Sequence, residues 1–256
     1  WFGYTPPSDL ASASAGIPRL SQAAPQLVQG PAGDDPVLLY RYLYTAHAEA
    51  TGGQPWRVGA QGIGDCVSWG WAHGIDCLLA VDYVAGQSGQ WKPAATEAIY
   101  GGSRVEARGK PGDGARPVGG YSDGSYGSAA AKFVRDYGVL WRQDYPVLGF
   151  DLSRYSSSRA KEWGAYGCGG KNDAGKADAA ARAHPVKSVA LVTTVEEAAA
   201  AIRNGYPVPV CSGQGFSSRR DEQGFARPQG SWSHCMCFIG LRSDRPGLLC
   251  LNSWGP

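Results

Sequence analysis

From Cys66 to about Val84, Val67, Trp71, Leu78 and Val81 recur at three-to-four spacing, which predicts a helix. A second helical stretch runs over residues 93–107. After the glycine-rich loop 109–127, the run SAAAKFVRDYG predicts a third helix, with Arg135 near its last turn and Gly138 ending it. Thr194-Val195-Glu196-Glu197 is a capping-box pattern and opens a helix over 195–204. Residues 37–49 read as a short element, helix or strand, before the Gly52-Gly53 break. Strands are expected at Val186–Val192, Pro207–Cys211, Trp232–Leu241 and Leu248–Asn252. Residues 151–185 are rich in Ser, Gly and Ala and show neither period. Helices come first and strands later, without repeats. That segregation predicts an α+β protein of two lobes with a cleft between them.

Residues 1–36, rich in Pro, Ala, Ser and Gly as in Tyr4-Thr5-Pro6-Pro7-Ser8, read as an arm or linker with little core. They lack the long helical pattern expected of an inhibitory pro-segment. Residues 37–256 form the domain proper, a helical lobe over about 55–150 and a strand-rich lobe over about 151–256.

Composition narrows the class. At 43% hydrophobic and 18% charged residues the chain is globular. With 24 basic against 22 acidic residues, a net charge of +2 and no basic run, neither nucleic acid nor a membrane surface is an expected partner. No apolar stretch is long enough to span a bilayer. The chain begins at Trp1 and its one methionine is Met236, so a processed form or fragment is expected. The seven cysteines are an odd number, leaving at least one thiol without a partner in the chain. Their low density favours a reducing intracellular compartment over a secreted one.

Three segments carry chemistry. In Gln61-Gly62-Ile63-Gly64-Asp65-Cys66 a glycine-rich turn delivers a cysteine to a helix start, where the helix dipole and a nearby imidazolium can lower a thiol pKa. A buried structural cysteine is the commoner fate of such a residue. In Ser231-Trp232-Ser233-His234-Cys235-Met236-Cys237 a histidine lies on an expected strand. Alternation puts His234, Met236 and Phe238 on one face, and Cys235, Cys237 and Ile239 on the other. A satisfied core histidine is the plain alternative. In Leu251-Asn252-Ser253-Trp254-Gly255 an asparagine ends an apolar strand. Asn252 can fix the His234 tautomer, and Trp254 can cover that bond from water. An ordinary strand-to-loop turn is the plain alternative here.

Taken together, in the order Gln-Cys, His, Asn-Ser-Trp-Gly, these segments resemble the papain-like cysteine peptidases. Gly119-Gly120-Tyr121, the helix after it and Asp144-Tyr145-Pro146 extend the resemblance, as does the run YPVPVCSGQGF at 206–216. The resemblance covers roughly residues 55–256. It implies a helical domain and an antiparallel β domain with Cys66 and His234 facing across the cleft. It also implies an oxyanion hole using Gln61, a peptide or protein substrate, and no cofactor. Trp91, Tyr121 and Trp232 are candidates for lining that cleft.

The departures are specific. Gly64-Asp65 stand where the family has Gly-Ser, and Val67 replaces an aromatic. Gln61 lies five positions before Cys66 rather than six. His234 lies 168 positions after Cys66 (234 − 66) and Asn252 lies 186 after it (252 − 66), a longer span than the roughly 130–150 residues of the family. The family's paired disulfide cysteines near the nucleophile are missing.

Three other readings compete. The fold could serve, catalytically silent, as a binding or structural subunit of a larger assembly. An amidase or transglutaminase-like enzyme would use Asp244 as third member. A zinc site at Cys211, Cys235, Cys237 and Cys250 lacks the usual Cys-x₂-Cys spacing.

Overall fold

The computed structural model describes residues 3–29, 35–107, 122–173 and 175–255. Three short helices, α1 (Leu10–Ala13), α2 (Leu20–Ala23) and α3 (Pro25–Val28), punctuate the arm. Then follow β1 (Val37–Leu38), α4 (Tyr40–Thr51), α5 (Cys66–Val84), α6 (Thr96–Arg104) and α7 (Gly127–Asp136). A small hairpin, β2 (Asp144–Tyr145) and β3 (Phe150–Asp151), leads to α8 (Ser157–Tyr166) and α9 (Lys176–Ala181). The chain ends with α10 (Val195–Arg203), β4 (Val208–Arg220), β5 (Ala226–Arg242) and β6 (Gly247–Leu251). The fold is α+β, with helices packed on an antiparallel sheet. No helix among the described residues is long and apolar enough to cross a membrane.

Strand β5 organises the sheet. Phe238 pairs with Val208 of β4 and with Cys250 of β6, so those strands lie on opposite edges of β5. Leu241 pairs with Val37, which brings β1 onto the edge that β4 has vacated. Both faces of β5 are covered near its middle. Cys235 and Cys237 are fully buried, and so is His234 on the opposite face. That double cover explains a near-continuous apolar run where a half-exposed strand would alternate.

Helix α5 is the central rod. Of its 19 residues, 12 are buried, so it reads as a helix covered nearly all round rather than an amphipathic one. Of the stripe expected from sequence, Val67 is fully buried, but Trp71, Leu78 and Val81 are only partly covered. Helices α4, α6 and α7 and strands β4 and β5 all pack on it. The approach to β5 is very close. A Cβ placed on Gly70 would lie 2.8 Å from the Cys235 sulfur and 2.9 Å from the Met236 carbonyl oxygen.

Two expectations need correction. Val186–Val192 is not a strand. It runs past α7 and the arm: Val186 N–H donates to the Val134 carbonyl at 3.2 Å, and Leu191 exchanges bonds with Pro18 and Leu20 at 2.8 and 2.9 Å. Its backbone groups are thus satisfied outside the sheet. The arm also contributes more than expected. Leu20 is buried, the Lys132 ammonium donates to the Ala13 carbonyl at 3.0 Å, and Arg135 donates to the Gly16 carbonyl at 2.8 Å. Gly119-Gly120-Tyr121 lie outside the described residues.

The Gly70 contact yields a test. Gly70→Ala gains up to about 1 kcal/mol of helix propensity. Forcing a methyl against the backbone of β5 costs about 1–3 kcal/mol. Urea denaturation is expected to show a net loss of stability. An unchanged or raised midpoint would mean that α5 is not seated on β5 through this glycine.

Candidate active site

Cys66 is the first residue of α5 and is fully buried, with Asp65 as the helix N-cap. It lies against β5 at Cys235, the residue following His234. The backbone N–H groups of Cys235 and Gly3 both face the Cys66 sulfur and favour its thiolate, but desolvation outweighs them and pushes the thiol up to about 12. The direction is opposite to the lowering that a helix start and an imidazolium would give. In this conformation Cys66 is a neutral thiol at pH 7.

His234 lies across from Ser212 in the β4–β5 ladder. Its Nε2 lies 2.7 Å from Asn252 Oδ1. That oxygen can only accept, so Nε2 carries the proton and Nδ1 is the basic nitrogen of the neutral ring. The Ser253 N–H also donates to Asn252 Oδ1, at 2.8 Å, which fixes the amide. Trp254 stacks on the imidazole with ring centres 4.7 Å apart and planes 28° apart. Trp232 meets both rings edge-on. Burial lowers the His234 pKa from its ordinary value, so the ring too is held neutral.

Gln61 is tied to the loop that carries Asn252. Its N–H donates to the Ser253 carbonyl at 2.9 Å, and Ser253 Oγ donates to Gln61 Oε1 at 2.6 Å. Ala60 and Trp254 add an antiparallel bridge. Gln61 Nε2 donates to the Ile63 carbonyl at 2.9 Å, a bond that uses one of its two hydrogens. The turn after it is tight, with Asp65 N–H donating to the Ile63 carbonyl at 2.9 Å. Gly62 does not adopt a left-handed backbone. It is needed for space, because a Cβ there would lie 2.9 Å from Ser157 Cβ.

The arm enters this site. Tyr4 N–H donates to the Ser233 carbonyl at 3.1 Å, next to His234. Ser125 N–H donates to the Gly3 carbonyl at 2.8 Å, and Thr5 N–H donates to the Ser125 carbonyl at 2.9 Å, so the arm runs parallel to residue 125. Arg104 anchors that loop by donating to the Ser122 carbonyl at 2.8 Å and to the Gly124 carbonyl. Gly3 is packed so closely that a Cβ on it would lie 1.9 Å from the Gly64 carbonyl oxygen. Tyr4 packs against the apolar core beside Cys211. Burial raises its phenol pKa, with the Cys211 and Cys235 thiols adding to the shift.

Other expectations fare differently. Trp91 does not line this site. It is buried among Leu43, Ala46 and Ala80, with its indole N–H on the Asp76 carbonyl at 2.9 Å. Cys235 and Cys237 are buried, whereas Cys250 is exposed with its sulfur 3.5 Å from Met236 Sδ. Sequence reasoning missed Gly3, Tyr4, Asp123, Tyr155 and Ser253. One signal was available: an acidic residue directly before a nucleophile needs a partner, and here the Tyr155 hydroxyl donates to Asp65 Oδ2 at 2.9 Å.

The fold is that of the papain-like cysteine proteases. Xylellain, a cysteine protease from Xylella fastidiosa, superposes with a TM-score of 0.57 at 16% identity over 99% of this chain and 84% of its own. Procathepsin B S9 from Trypanosoma congolense superposes with a TM-score of 0.53 at 10% identity over 99% of this chain and 76% of its own. No protein-family model matches the chain, and no curated sequence is detectably similar.

The buried neutral thiol makes a prediction. At pH 7 Cys66 of the full chain should react with iodoacetamide more slowly than a free cysteine, whose pKa is about 8.5. The raised pKa means the thiolate fraction grows as pH rises, so the rate should still climb above pH 9. Fast labelling that is flat between pH 6 and 8 would instead reveal a preformed thiolate–imidazolium pair.

Proposed function

We propose that the chain is a cysteine peptidase held in a resting state by its own arm. One observation carries the reading: the hydrogen-bonded His234–Asn252 pair under Trp254, on the strand whose next residue, Cys235, meets the cysteine that begins α5. In the reaction the Cys66 sulfur bonds to the scissile carbonyl carbon and the carbonyl electron pair moves to oxygen. The thiol proton passes to His234 Nδ1. The Cys66 N–H and the Gln61 amide stabilise the oxyanion. Collapse expels the amine, which takes the proton from His234, and water then hydrolyses the thioester. Asn252 holds the ring in the tautomer this needs, and Trp254 shields their bond.

The arm supports the resting state. Its Gly3 N–H faces the sulfur, but its Gly3 carbonyl is bonded to Ser125. That carbonyl is therefore turned to the Ser125 loop rather than to an oxyanion hole, and the arm is seated without being cut. The residues it seats suggest the substrate: a peptide with a small residue at the attacked carbonyl and an aromatic one after it, in the place of Tyr4.

Two variants test this. Cys66→Ala should abolish hydrolysis of peptides of that type. Gly3→Leu cannot be seated against Gly64, so it should free the cleft and raise kcat/KM about tenfold or more, as expected when an occluded site becomes the dominant state. Hydrolysis that survives Cys66→Ala would remove Cys66 as nucleophile. Unchanged kinetics in an active Gly3→Leu protein would remove the arm as a restraint. A wild type and Gly3→Leu protein both inactive on all peptides would favour a binding subunit of a larger assembly.

A further inference from the structure

The turn from Gln61 to Cys66 is one residue shorter than the family pattern, yet both of its ends contribute to the oxyanion hole under the proposed function. Something must set its shape. Tyr155, 89 positions beyond Cys66 (155 − 66), reaches both ends of the turn through one atom. Its hydroxyl accepts from the Gly62 N–H at 3.1 Å and donates to Asp65 Oδ2 at 2.9 Å. Gly62 follows Gln61 directly, and Asp65 directly precedes Cys66. The phenol oxygen therefore spans the turn from the residue after one oxyanion donor to the residue before the other.

Tyr155 is itself held rigidly. The next residue, Ser156, donates its N–H to Glu97 Oε1 at 2.9 Å and caps α8 by accepting from the Arg159 N–H at 3.2 Å. Glu97 is fully buried and paired with Arg142 at 2.6 Å. Arg142 lies over the Tyr155 ring at 5.9 Å, and Trp69 meets the same ring edge-on at 5.1 Å. Trp69 lies in the first turn of α5, so the ring that carries the hydroxyl is packed on the helix that carries the nucleophile. Asp123 adds a separate strut, accepting from the Gly64 N–H at 3.1 Å. We propose that Tyr155 and Asp65 are positioning residues for the oxyanion hole, a clasp that holds the shortened Gln61–Cys66 turn in catalytic shape.

Burial pushes the Asp65 carboxyl up to about 7, which limits the charge it places beside the sulfur near neutrality. The bond to Tyr155 favours its ionised form but needs only an acceptor oxygen on residue 65.

This inference rests on the peptidase reading, and the test separates the two. Acetyl-Gly-aldehyde forms an adduct whose oxygen sits in the oxyanion hole. Iodoacetamide is attacked at a saturated carbon and uses no hole. Both probes, together with hydrolysis of the Gly–Tyr bond of an acetyl-Gly-Tyr amide, are applied to the full-length wild type, Tyr155→Phe, Asp65→Ala and Asp65→Asn. Tyr155→Phe keeps the packed ring and removes only the hydroxyl. It should lower kcat and aldehyde affinity at least tenfold, against the roughly 10²–10³ for loss of an entire hole donor. Its iodoacetamide rate should stay within about twofold. Asp65→Ala should show the same selective loss, and Asp65→Asn, which keeps an acceptor oxygen, should recover much of it. An aldehyde affinity in Tyr155→Phe within twofold of wild type overturns the clasp alone. So does an iodoacetamide rate that falls in step with hydrolysis, because the effect would then lie on the thiol. A wild type that binds no aldehyde and cleaves nothing takes the peptidase reading and the clasp down together.

Discussion

The close seating of α5 on β5 is the constraint on which the site depends. At Gly70 the helix backbone comes so near that a Cβ would lie under 3 Å from the strand. That approach brings the first residue of the helix against Cys235, the residue that follows His234. A helix held one side chain further out would leave the same residues present but separated by the width of a methyl group or more. Hydrophobic burial supplies the force: α5 is apolar on most of its circumference, and the middle of β5 is covered on both faces. Desolvating that many groups has an electrostatic consequence as well. It holds the thiol, the imidazole and the neighbouring carboxyl in or near their uncharged forms, because separated charges in a dry interior are costly.

Against that frame the polar loops do the aligning. Ser253 bonds to Gln61 through backbone and side chain, while its neighbour Asn252 holds His234. One short segment therefore couples the expected oxyanion donor to the base. Only the Gln61 N–H to Ser253 carbonyl bond is backbone to backbone; the other two fix side-chain rotamers, which a geometry that must hold to a fraction of an ångström requires.

Much of the fold was legible in the sequence. Helix α5 starts at Cys66 and α10 is capped by Thr194, whose side chain accepts from the Glu197 N–H at 3.1 Å, because caps and glycine turns are local signals. The strands β4, β5 and β6 were legible where apolar residues cluster, but β4 runs on past Cys211 to Arg220 and β5 begins at Ala226, six residues before Trp232. Val186–Val192 misled, since alternation records half-burial and not its partner, and here the partners are α7 and the arm. The burial of α5 was underread, because a stripe of large side chains hid the small residues Gly70 and Gly74 that face the closest neighbours. In the candidate site, the contacts of Asn252 and Trp254 with His234 were legible, because all three lie in short motifs; the roles of Cys66 and Gln61 belong to the proposed function. Tyr155 and Tyr4 were not legible. Each meets the site across a long sequence separation, with no motif to announce it.

The parallel pairing of the arm with Ser125 has a further consequence in terms of tethering. A segment attached to the same chain competes for the cleft at an effective concentration of the order of millimolar when its linker is short and flexible. Under the proposed function, occupancy of the cleft by the arm is independent of how dilute the protein is. It also adds a constant factor to the apparent Michaelis constant of any competing peptide while leaving the maximal turnover untouched. Dilution would not awaken such a molecule; a rise in substrate, or a change in the arm itself, would.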